Sequence, residues 1–570
     1  MTERAAPESI PESSPDSIPE SPPESPPESP WRYPIFRAIW ATTVLSNFGG
    51  IIQSVGAAWM MTTLSTSSQM VALVQASVTL PILLLSLFAG AVADNLDRRH
   101  VMLLAQSLML AVSISLAVAA YAGWLTPSSL LGFTFLLGCG TALNSPAWQA
   151  SVGDMVERPA LPAAVAYNSM GFNIARSLGP AIGGAIVAAA GAAAAFLVNV
   201  FSYIGLLAVL ARWKPERPPR PLPPERIDLA MASGVRYVAM SPMLRRVLFR
   251  ALVFGITAAA LSALLPLVAR DLVRGGAMTY GILLGAFGLG AVGGAVTVRA
   301  LRARLSTEPM VQLATAAFAA GMLATGLSPS LWLTLPALML AGACWVIVLS
   351  TFNVTIQMSA PRWVVARALA LYQTFAFGGM AIGAWIFGAI AEQAGIPLAL
   401  GAAAALQLAT VAIGRFQPLP AVLDLDLNPL IRGQPPETAV PIRSRSGPIV
   451  VEIDYRIAEH SIAAFLSVMS ERRRIRRRDG ARQWTLLRDL ADPTKWTERY
   501  NVATWLDYLR HIERRTRADA ENIEQILQLH IGPERPKVRR MIERETHTLP
   551  GHASFDLDNL QTPLPETPAS

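Results

Sequence analysis

The 570-residue sequence predicts an all-α polytopic membrane protein with twelve transmembrane helices in two six-helix repeats, followed by a small cytoplasmic α+β domain of ferredoxin-like fold. Composition, a series of apolar blocks and the placement of arginine predict this architecture. Hydrophobic residues make up 52% of the chain and charged residues only 15%, whereas soluble domains carry about 25% charged residues. The mean hydropathy is +0.40. An ordinary soluble enzyme is therefore excluded.

The apolar blocks have the length of transmembrane helices. A helix needs about 20 apolar residues to cross a bilayer, and blocks of this length are helical rather than barrel strands. The predicted spans are residues 37–60, 70–93, 101–122, 128–150, 163–189, 192–212, 247–270, 276–298, 310–328, 330–352, 366–390 and 396–415. Cys139 and Cys344 both lie in apolar stretches, which excludes a disulfide scaffold and a cysteine-ligated zinc site.

Basic residues alternate between the two sides of the predicted membrane. Arginine is concentrated in the central loop and after the second, fourth, eighth and tenth spans: Arg98, Arg99, Arg158, Arg299, Arg302, Arg304, Arg362, Arg367 and residues 212–250. The other connections carry no Lys or Arg, apart from Arg270 and Arg274 after the seventh span. The positive-inside rule therefore predicts that both termini are cytoplasmic. We expect the protein to lie in the inner (plasma) membrane.

Changes of composition divide the chain into seven segments. The first thirty residues repeat proline, an acid and serine, a composition that cannot bury a core. The predicted segments are a disordered tail (1–33), an N-terminal six-helix bundle (34–212), a cytoplasmic central loop (213–245), a C-terminal six-helix bundle (246–416), a linker (417–448), the ferredoxin-like domain (449–547) and a disordered tail (548–570). Gly179 and Gly183 recur 200 residues later as Gly379 and Gly383, which indicates a duplicated unit.

The connection after the second span reads Gly90-Ala-Val-Ala-Asp94-Asn-Leu-Asp97-Arg98-Arg99. Gly90 would let a neighbouring helix approach closely, and Asp94 at the membrane edge can pair with a cation or cap a helix end. We expect a latch that holds one conformation, formed by Gly90, Asp94, Arg98 and Arg99. In the alternative interpretation the arginines only set the topology and Asp94 is solvated.

The fifth span contains Arg176-Ser-Leu-Gly179-Pro180-Ala-Ile-Gly183-Gly184. The proline removes a helical hydrogen bond and kinks the span, and the glycines permit tight helix contact. Such residues also serve ordinary packing between membrane helices.

Arg176 is a charge inside a span, which is costly and usually faces a cavity or a partner. Asn173 lies about one turn away on the same helix face. We expect Arg176 to face a central cavity or a gating carboxylate, where it would contact an anionic group of a substrate. The alternative is an arginine near the cytoplasmic end that extends to the lipid headgroups.

Residues 36–415 resemble the major facilitator superfamily, and within it the drug and siderophore exporter branch of the enterobactin-exporter-like, transmembrane secretion effector type. The loop 90–99 is similar to the signature loop of that superfamily, although Asp97 stands where glycine is usual. The segment 179–184 is similar to a helix-five element associated with antiport. The resemblance implies a non-enzymatic secondary transporter without a cofactor, which exports drugs, siderophores or secondary metabolites by proton antiport with alternating access.

The resemblance also implies that spans one, four and ten line the cavity. Neutral polar residues in these spans are therefore candidate substrate contacts: Asn47, Gln53, Asn144, Gln149, Asn353 and Gln357. Each is equally compatible with an interhelical hydrogen bond worth about 1 kcal/mol. No carboxylate lies near the middle of a span, so a proton carrier would have to be sought at the span edges, among Asp94, Asp154 and Asp271.

The segment after the linker is charged and has mixed periodicity. We expect a strand at Ile449–Ile457, a helix at Ser461–Arg478, strands at Gln483–Leu490 and Lys495–Val502, a helix at Trp505–Leu529 and a possible last strand. The order β-α-β-β-α-β is ferredoxin-like. The arginine run 472–478, with Asp479, Gly480, Trp484 and Glu498, resembles cytoplasmic tails that are similar to dimeric α/β-barrel monooxygenases.

We expect this tail to be a structural or self-association module rather than an enzyme. No flavin, haem or metal spacing is present, but monooxygenases of this type work without a cofactor, so that absence does not decide the question. The arginine run contains no interleaved aromatic residue, which argues against nucleic acid as a partner. Attraction to anionic lipid of the bilayer is the simpler interpretation of the run. Two alternatives to export remain: an importer of the same fold, and a membrane-tethered enzyme or sensor that acts through residues 449–547.

Overall fold

The structure is a computed structural model that describes residues 29–157, 160–214, 227–361, 363–416, 418–419, 436, 438–514, 516 and 519–543. The predicted disordered tails beyond these limits, part of the central loop and most of the linker 417–448 lie outside the described residues. Within the described ranges the chain forms fifteen α-helices and four strands.

Twelve of these helices precede the linker. They are α1 (Pro34–Leu64), α2 (Ser68–Asn95), α3 (Arg98–Tyr121), α4 (Pro127–Ser151), α5 (Leu161–Arg212), α6 (Ile227–Met240), α7 (Pro242–Leu267), α8 (Ala277–Arg302), α9 (Thr307–Leu327), α10 (Leu331–Ser359), α11 (Val365–Ala394) and α12 (Ile396–Phe416). In the described part of the chain, ten helices are long and apolar enough to cross a membrane, namely α1–α5 and α7–α11. Helix α12 contributes a shorter apolar stretch, Ile396–Ala412.

Helix α5 contains a sharp break at Gly191. The helix has 52 residues, which would extend about 78 Å if straight, far more than the ~30 Å of hydrocarbon in a bilayer. Gly191 has φ 77° and ψ 171°, a conformation that side chains rarely adopt. The break divides α5 into a first arm before Gly191 and a second arm after it, at the position where the sequence predicts one span to end and the next to begin.

Glycines produce the same packing in both halves of the helical region. A Cβ added to Gly183 on the first arm of α5 would lie 3.1 Å from the Cα of Ile52 on α1. A Cβ on Gly379 or Gly383 of α11 would meet the backbone of α7 at Leu252 or Ile256. The first arm of α5 therefore packs on α1 in the way that α11 packs on α7.

The predicted central loop contains a helix. Helix α6 lies against α2, α7 and α11, with Tyr237 and Val238 buried. Arg367 on α11 donates from Nη1 to Ser233 Oγ at 2.8 Å. The expectation of a loop over residues 213–245 is therefore wrong for residues 227–240, because a short amphipathic helix gains its stability from the helices on which it packs.

The predicted N-terminal tail is also too long by a few residues. Trp31 lies 5.0 Å from the ring of Trp40 and 4.9 Å from that of Tyr167. Residues 29–33 thus pack on the helices, since burying an indole offsets the cost of ordering the chain.

The C-terminal α/β region, residues 438–543, contains a four-stranded antiparallel sheet and three helices. Its elements are β1 (Ile449–Arg456), α13 (Ile462–Arg478), β2 (Arg482–Arg488), β3 (Lys495–Val502), α14 (Trp505–Glu513), α15 (Ala520–Leu529) and β4 (Lys537–Ile542). The strand order is β2-β3-β1-β4, and each neighbouring pair is antiparallel. The helices cover one face of the sheet, where Val451, Tyr455 and Tyr500 are buried.

The single helix predicted at Trp505–Leu529 is two helices, α14 and α15. Asp519 Oδ2 accepts hydrogen bonds from Thr516 N at 3.1 Å and from Thr516 Oγ1 at 2.8 Å. A carboxylate that binds the backbone in this way favours a turn over a continued helix.

Several of the six arginines in the run 472–478 contact other parts of the protein. Arg472 and Arg476 are buried in the α/β region, and Arg478 pairs with Asp519 at 2.8 Å. Arg478 also stacks on Tyr237 of α6, with its guanidinium carbon 5.1 Å from the ring centroid. The interpretation of this run as a lipid-binding surface is therefore wrong for these three residues.

Further contacts hold the α/β region against the helices. Arg474 on α13 donates to the carbonyl of Met240 at 3.3 Å. Arg514 stacks on Trp363, in the connection between α10 and α11, at 4.4 Å. The region is thus attached both at α6 and at the start of α11.

Glu498 organises the interior of the α/β region. It is fully buried and accepts hydrogen bonds from Arg476 Nε at 3.0 Å, Trp484 Nε1 at 3.0 Å and Tyr455 Oη at 2.8 Å. Burial alone would raise the pKa of this carboxyl, but the nearby Arg476 and Arg472 outweigh it and lower the pKa to about 2.

We predict that Glu498→Gln lowers the free energy of unfolding of the α/β region by about 3–5 kcal/mol, because it leaves two buried guanidinium groups without a counter-charge. The wild-type stabilisation should be complete above the ordinary pKa of 4.5 and lost as the pH falls through about 2. The Gln variant should lack this pH dependence. Urea pulse proteolysis of the full chain, repeated at several pH values, measures the free energy of unfolding of both proteins.

The matched control is Glu452→Gln, on the opposite face of the sheet. Glu452 is partly exposed and pairs with Arg539 at 3.2 Å, so its loss should cost less than about 1 kcal/mol. Equal effects of the two substitutions would contradict the role given to Glu498.

Candidate functional site

A cavity of about 220 Å³ lies between the two halves of the helical region. Helices α1, α2 and α5 form one side, and α7–α11 form the other. Its wall consists of Ile51, Gln75, Arg176, Pro180, Ala258, Leu261, Ser262, Leu265, Leu284, Phe287, Gly288, Phe318, Trp345 and Met380. The wall is therefore almost entirely apolar, with a few polar groups at fixed positions.

Arg176 supplies the one guanidinium among the described residues of this wall. It lies halfway between Leu161 and Gly191 on the first arm of α5, about 22 Å from either end. Its side chain lines the cavity, in agreement with the expectation of a cavity-facing position. No carboxylate occurs among the described residues of this wall.

The chemistry of the wall suits an amphipathic molecule. Aromatic and aliphatic side chains such as Phe287 and Trp345 accommodate an apolar body. The Arg176 guanidinium can bind a carboxylate or another acceptor, and an unpaired charge in such a place is costly without a functional partner. Gln75 and Ser262 add hydrogen-bonding groups.

Sequence reasoning missed Gln75, Ser262 and Trp345. Gln75 is a neutral polar residue inside the second predicted span, so the criterion that selected the other candidates applies to it. Ser262 and Trp345 give no comparable signal, because both residue types are common inside membrane helices.

The predicted cavity residue Gln53 has another role. Its side chain is buried, and its Oε1 accepts hydrogen bonds from Ser113 Oγ at 3.0 Å and Asn199 Nδ2 at 2.6 Å. Gln53 thus connects α1 with α3 and the second arm of α5. The interhelical alternative holds for this residue, and the cavity assignment is wrong.

The remaining neutral candidates also lie off the cavity wall: Asn47, Asn144, Gln149, Asn173, Asn353 and Gln357. Gln149 donates to Ser145 Oγ at 3.1 Å, and Gln357 donates to Asn353 one turn away on α10. Several of these residues lie near helix ends, whereas the cavity lies at mid-depth.

The glycines of the helix-five element fit against neighbouring backbone. A Cβ on Gly179 would lie 2.9 Å from Ile51 Cγ2, and one on Gly184 would lie 2.7 Å from the Cα of Gly281 on α8. Pro180 lies inside the helix and lines the cavity. The element therefore brings the two halves of the helical region into backbone contact beside the cavity.

Two of the predicted latch residues make contacts between helices. Arg98 Nη1 donates to Asp154 Oδ2 at 2.9 Å, and Arg99 donates to the carbonyls of Leu210 and Ala211 at 3.1 Å and 2.7 Å. Arg99 thereby places a positive charge and two donors at the C-terminal end of α5, where carbonyls have few helical partners. These contacts join α3 to the residues after α4 and to the second arm of α5.

The aspartates and glycine of the same loop differ in their placement. Asp97 caps α3, since its Oδ1 accepts from Arg99 N at 3.0 Å. Asp94 belongs to α2, but its side chain lies outside the described atoms. Among the described atoms, none lies within 4 Å of a Cβ added to Gly90, whereas its counterpart Gly290 meets the backbone of Met339.

The two halves are also joined at the far end, defined as the end of the helices where α1 ends and α2 begins. Gln69 N donates to Glu392 Oε2 at 3.2 Å. Arg270 Nη1 donates to the carbonyl of Thr62 at 2.9 Å, while its Nη2 pairs with Asp271 at 3.0 Å. Contacts between the halves therefore close over the cavity on this side.

A family model described as a transmembrane secretion effector matches residues 25–548. The chain belongs to this family. It is therefore a transporter of the major facilitator superfamily, embedded in a membrane by multiple helices, and not an enzyme.

Curated relatives of the transporter are siderophore and drug transporters. The Multidrug efflux pump Tap of Mycolicibacterium fortuitum is 24% identical over 408 residues, which cover 70% of this chain and 99% of that protein. The Staphyloferrin A transporter of Staphylococcus aureus is 28% identical over 280 residues, or 48% of this chain and 68% of that protein. The Enterobactin exporter EntS of Shigella flexneri is 29% identical over 308 residues, which cover 53% of this chain and 71% of that protein.

Solved structures share the fold of the transporter. The POT family transporter PepTSo aligns with a TM-score of 0.56 at 13% identity, over 69% of this chain and 98% of that chain. A bacterial homolog to the human lysosomal transporter Spinster, in an inward-facing and unoccupied conformation, aligns with a TM-score of 0.52 at 15% identity. The alignment covers 67% of this chain and 94% of that chain.

We predict that Gly281→Leu in α8 reduces transport at least about tenfold, because its side chain would collide with the backbone of α5 at Gly184 and Pro180. A cysteine introduced next to the contact between Gly184 and Gly281 should become accessible to membrane-impermeant thiol reagents, because the two helices would be forced apart at the far end. Gly293→Leu is the control, since a Cβ at that position of α8 meets nothing within 4 Å. Equal loss in both variants would contradict the proposed contact.

We predict that Arg98 and Asp154 are energetically coupled. Both side chains are partly exposed, at 29% and 24%, so a double-mutant cycle with Arg98→Gln and Asp154→Asn should give a coupling of about 0.5–1 kcal/mol in thermal unfolding of the purified transporter. Additive effects of the two substitutions would show that the pair contributes nothing to the latch.

Proposed function

We propose that the transporter exports small amphipathic molecules, such as drugs, siderophores or secondary metabolites, by alternating access coupled to proton antiport. The observation that carries this proposal is the apolar cavity between the two halves, with Arg176 on its wall. A cavity at the junction of two halves can be exposed to either side when one half rocks against the other. The siderophore and drug transporters among the relatives support the substrate class.

The proposed topology has twelve spans in two six-helix repeats, with both termini in the cytoplasm of the plasma membrane. The break at Gly191 supports two spans within α5, and α12 supplies a further apolar helix. The matching glycine contacts of α5 on α1 and of α11 on α7 support the repeat. With the α/β region in the cytoplasm, the far end faces outward, and the contacts there close the cavity on the outer side.

The latch, the helix-five element and the α/β region complete the proposal. The latch stabilises one conformation at the cytoplasmic side and consists of Gly90, Asp94, Arg98 and Arg99. The helix-five element provides the surface on which the halves meet and consists of Gly179, Pro180, Gly183 and Gly184. The α/β region is proposed as a ferredoxin-like, monooxygenase-like module for self-association, supported by its β-α-β-β-α-α-β order and antiparallel sheet. Protons are the proposed coupling ion.

We predict that the transporter lowers the accumulation of an anionic amphipathic dye in efflux-deficient cells, and that a proton uncoupler abolishes this effect. Arg176→Ala should reduce export of that dye about tenfold or more, because the guanidinium would no longer offset the charge of the substrate inside the cavity. Arg176→Lys should restore part of the activity. Initial rates of dye efflux from preloaded cells measure both.

Arg302→Ala is the matched control, since Arg302 is an exposed arginine at the end of α8. Normal export by the Arg176→Ala protein at wild-type abundance would refute the role of the cavity. Higher accumulation of the dye in cells with the transporter would identify an importer and refute export.

A further inference from the structure

A second cavity, of about 420 Å³, lies inside the C-terminal α/β region. It is bounded by the inner face of the sheet and by helices α13, α14 and α15, on a part of the chain separate from the transport cavity. We propose that this cavity binds a small amphipathic organic anion. The proposal is independent of the direction and substrate of transport.

The charges on the cavity wall favour an anion. Four arginines line it, and no carboxylate occurs among the described lining residues: Arg472, Arg476, Arg535 and Arg540. Glu498 lies behind the wall and compensates for one positive charge, since it pairs with Arg476 at 3.0 Å and with Arg472 at 3.5 Å. The wall therefore keeps an excess of positive charge, carried by the buried Arg472 and Arg476 and by the exposed Arg535 and Arg540.

Buried hydrogen-bonding atoms on this wall have no partner. The hydroxyl of Tyr500 and the Nη2 of Arg476 make no hydrogen bond, although Tyr500 is 0% exposed and Arg476 is 1% exposed. A buried donor without an acceptor costs about 1–3 kcal/mol. The Arg476 guanidinium carbon lies 4.6 Å from the centroid of the Tyr500 ring, so the two unpartnered groups belong to adjacent side chains.

The remainder of the wall is apolar. Ile523, Ile526 and Leu527 on α15, together with the ring of Tyr508, form a surface for a hydrocarbon or aromatic body. An inorganic anion would leave this surface unused. A cavity of this volume lies within the range of small-molecule sites, about 300–1,000 Å³, which fits an aromatic or aliphatic acid.

The test uses the full-length transporter in lipid nanodiscs and isothermal titration calorimetry with three probes: 2-naphthoate, 2-naphthylmethylammonium and acetate. We expect saturable binding of 2-naphthoate alone, because acetate lacks the apolar body and the ammonium has the wrong charge. Absence of saturable 2-naphthoate binding, or equal binding of the ammonium probe, overturns the proposal. Titrations are repeated in the Arg176→Gln background, so that binding in the transport cavity is recognised separately.

Neighbouring arginines on β4 supply a matched pair of variants. Arg540 lines the cavity and donates from Nε to Tyr508 Oη at 2.6 Å, whereas Arg539 pairs with Glu452 and Asp454 on the other face of the sheet. Arg540→Gln should weaken 2-naphthoate binding about tenfold and Arg539→Gln should leave it unchanged, since a hydrogen bond to a charged group contributes about 1.5–3 kcal/mol. Equal dissociation constants for the two variants overturn the proposal.

Tyr500→Phe removes only the unpartnered hydroxyl and relieves a buried donor, so the α/β region should fold at least as well as before. We expect about fivefold weaker binding of 2-naphthoate from the loss of one hydrogen bond. Hydrogen exchange of the full chain locates the site: 2-naphthoate should protect α15 and β4. Unchanged affinity in Tyr500→Phe together with protection elsewhere overturns the assignment.

Discussion

The backbone contact between α5 and α8 at Gly184 and Gly281 is the constraint on which the rest of the transport region depends. Helices approach this closely only where neither carries a side chain. The contact fixes the distance between the two halves beside the cavity. The cavity is therefore narrow enough for a small molecule and does not widen into a channel. Pro180, one turn before Gly184, lines that same cavity. Packing and substrate space are thus set by the same few residues.

Arginine serves three purposes in this chain, and the surroundings decide which one applies. Arg176 lies in an apolar wall without a carboxylate, so its charge is available to a ligand. Arg99 donates to two carbonyls in the last turn of α5 and so caps the end of that helix. Arg476 is neutralised by Glu498, and this pair holds the interior of the α/β region together. A guanidinium is suited to all three because it combines a permanent charge with several planar donors.

The membrane architecture could be predicted from the sequence because the bilayer imposes a length and a polarity on every span. The cavity could be predicted only in part. Arg176 was identifiable, since a charge inside a span requires an explanation. The roles of Gln53 and Gln75 could not be told apart, because both are glutamines in similar apolar blocks. One joins three helices and the other lines the cavity, and the difference depends on which helices surround each position. The burial of Arg476 likewise depends on Glu498, which is distant in sequence and comes close only through the sheet.

The two attachments of the α/β region have a mechanical consequence. A domain attached at one point can rotate about that point, whereas a domain attached at two separate points keeps a more fixed orientation. Here one attachment is α6, which touches α2 in the first half and α11 in the second, and the other is Trp363 beside the start of α11. One attachment thus packs on both halves and the other lies in the second half, so a movement of α2 away from α11 would either move the α/β region with it or break one of its two attachments.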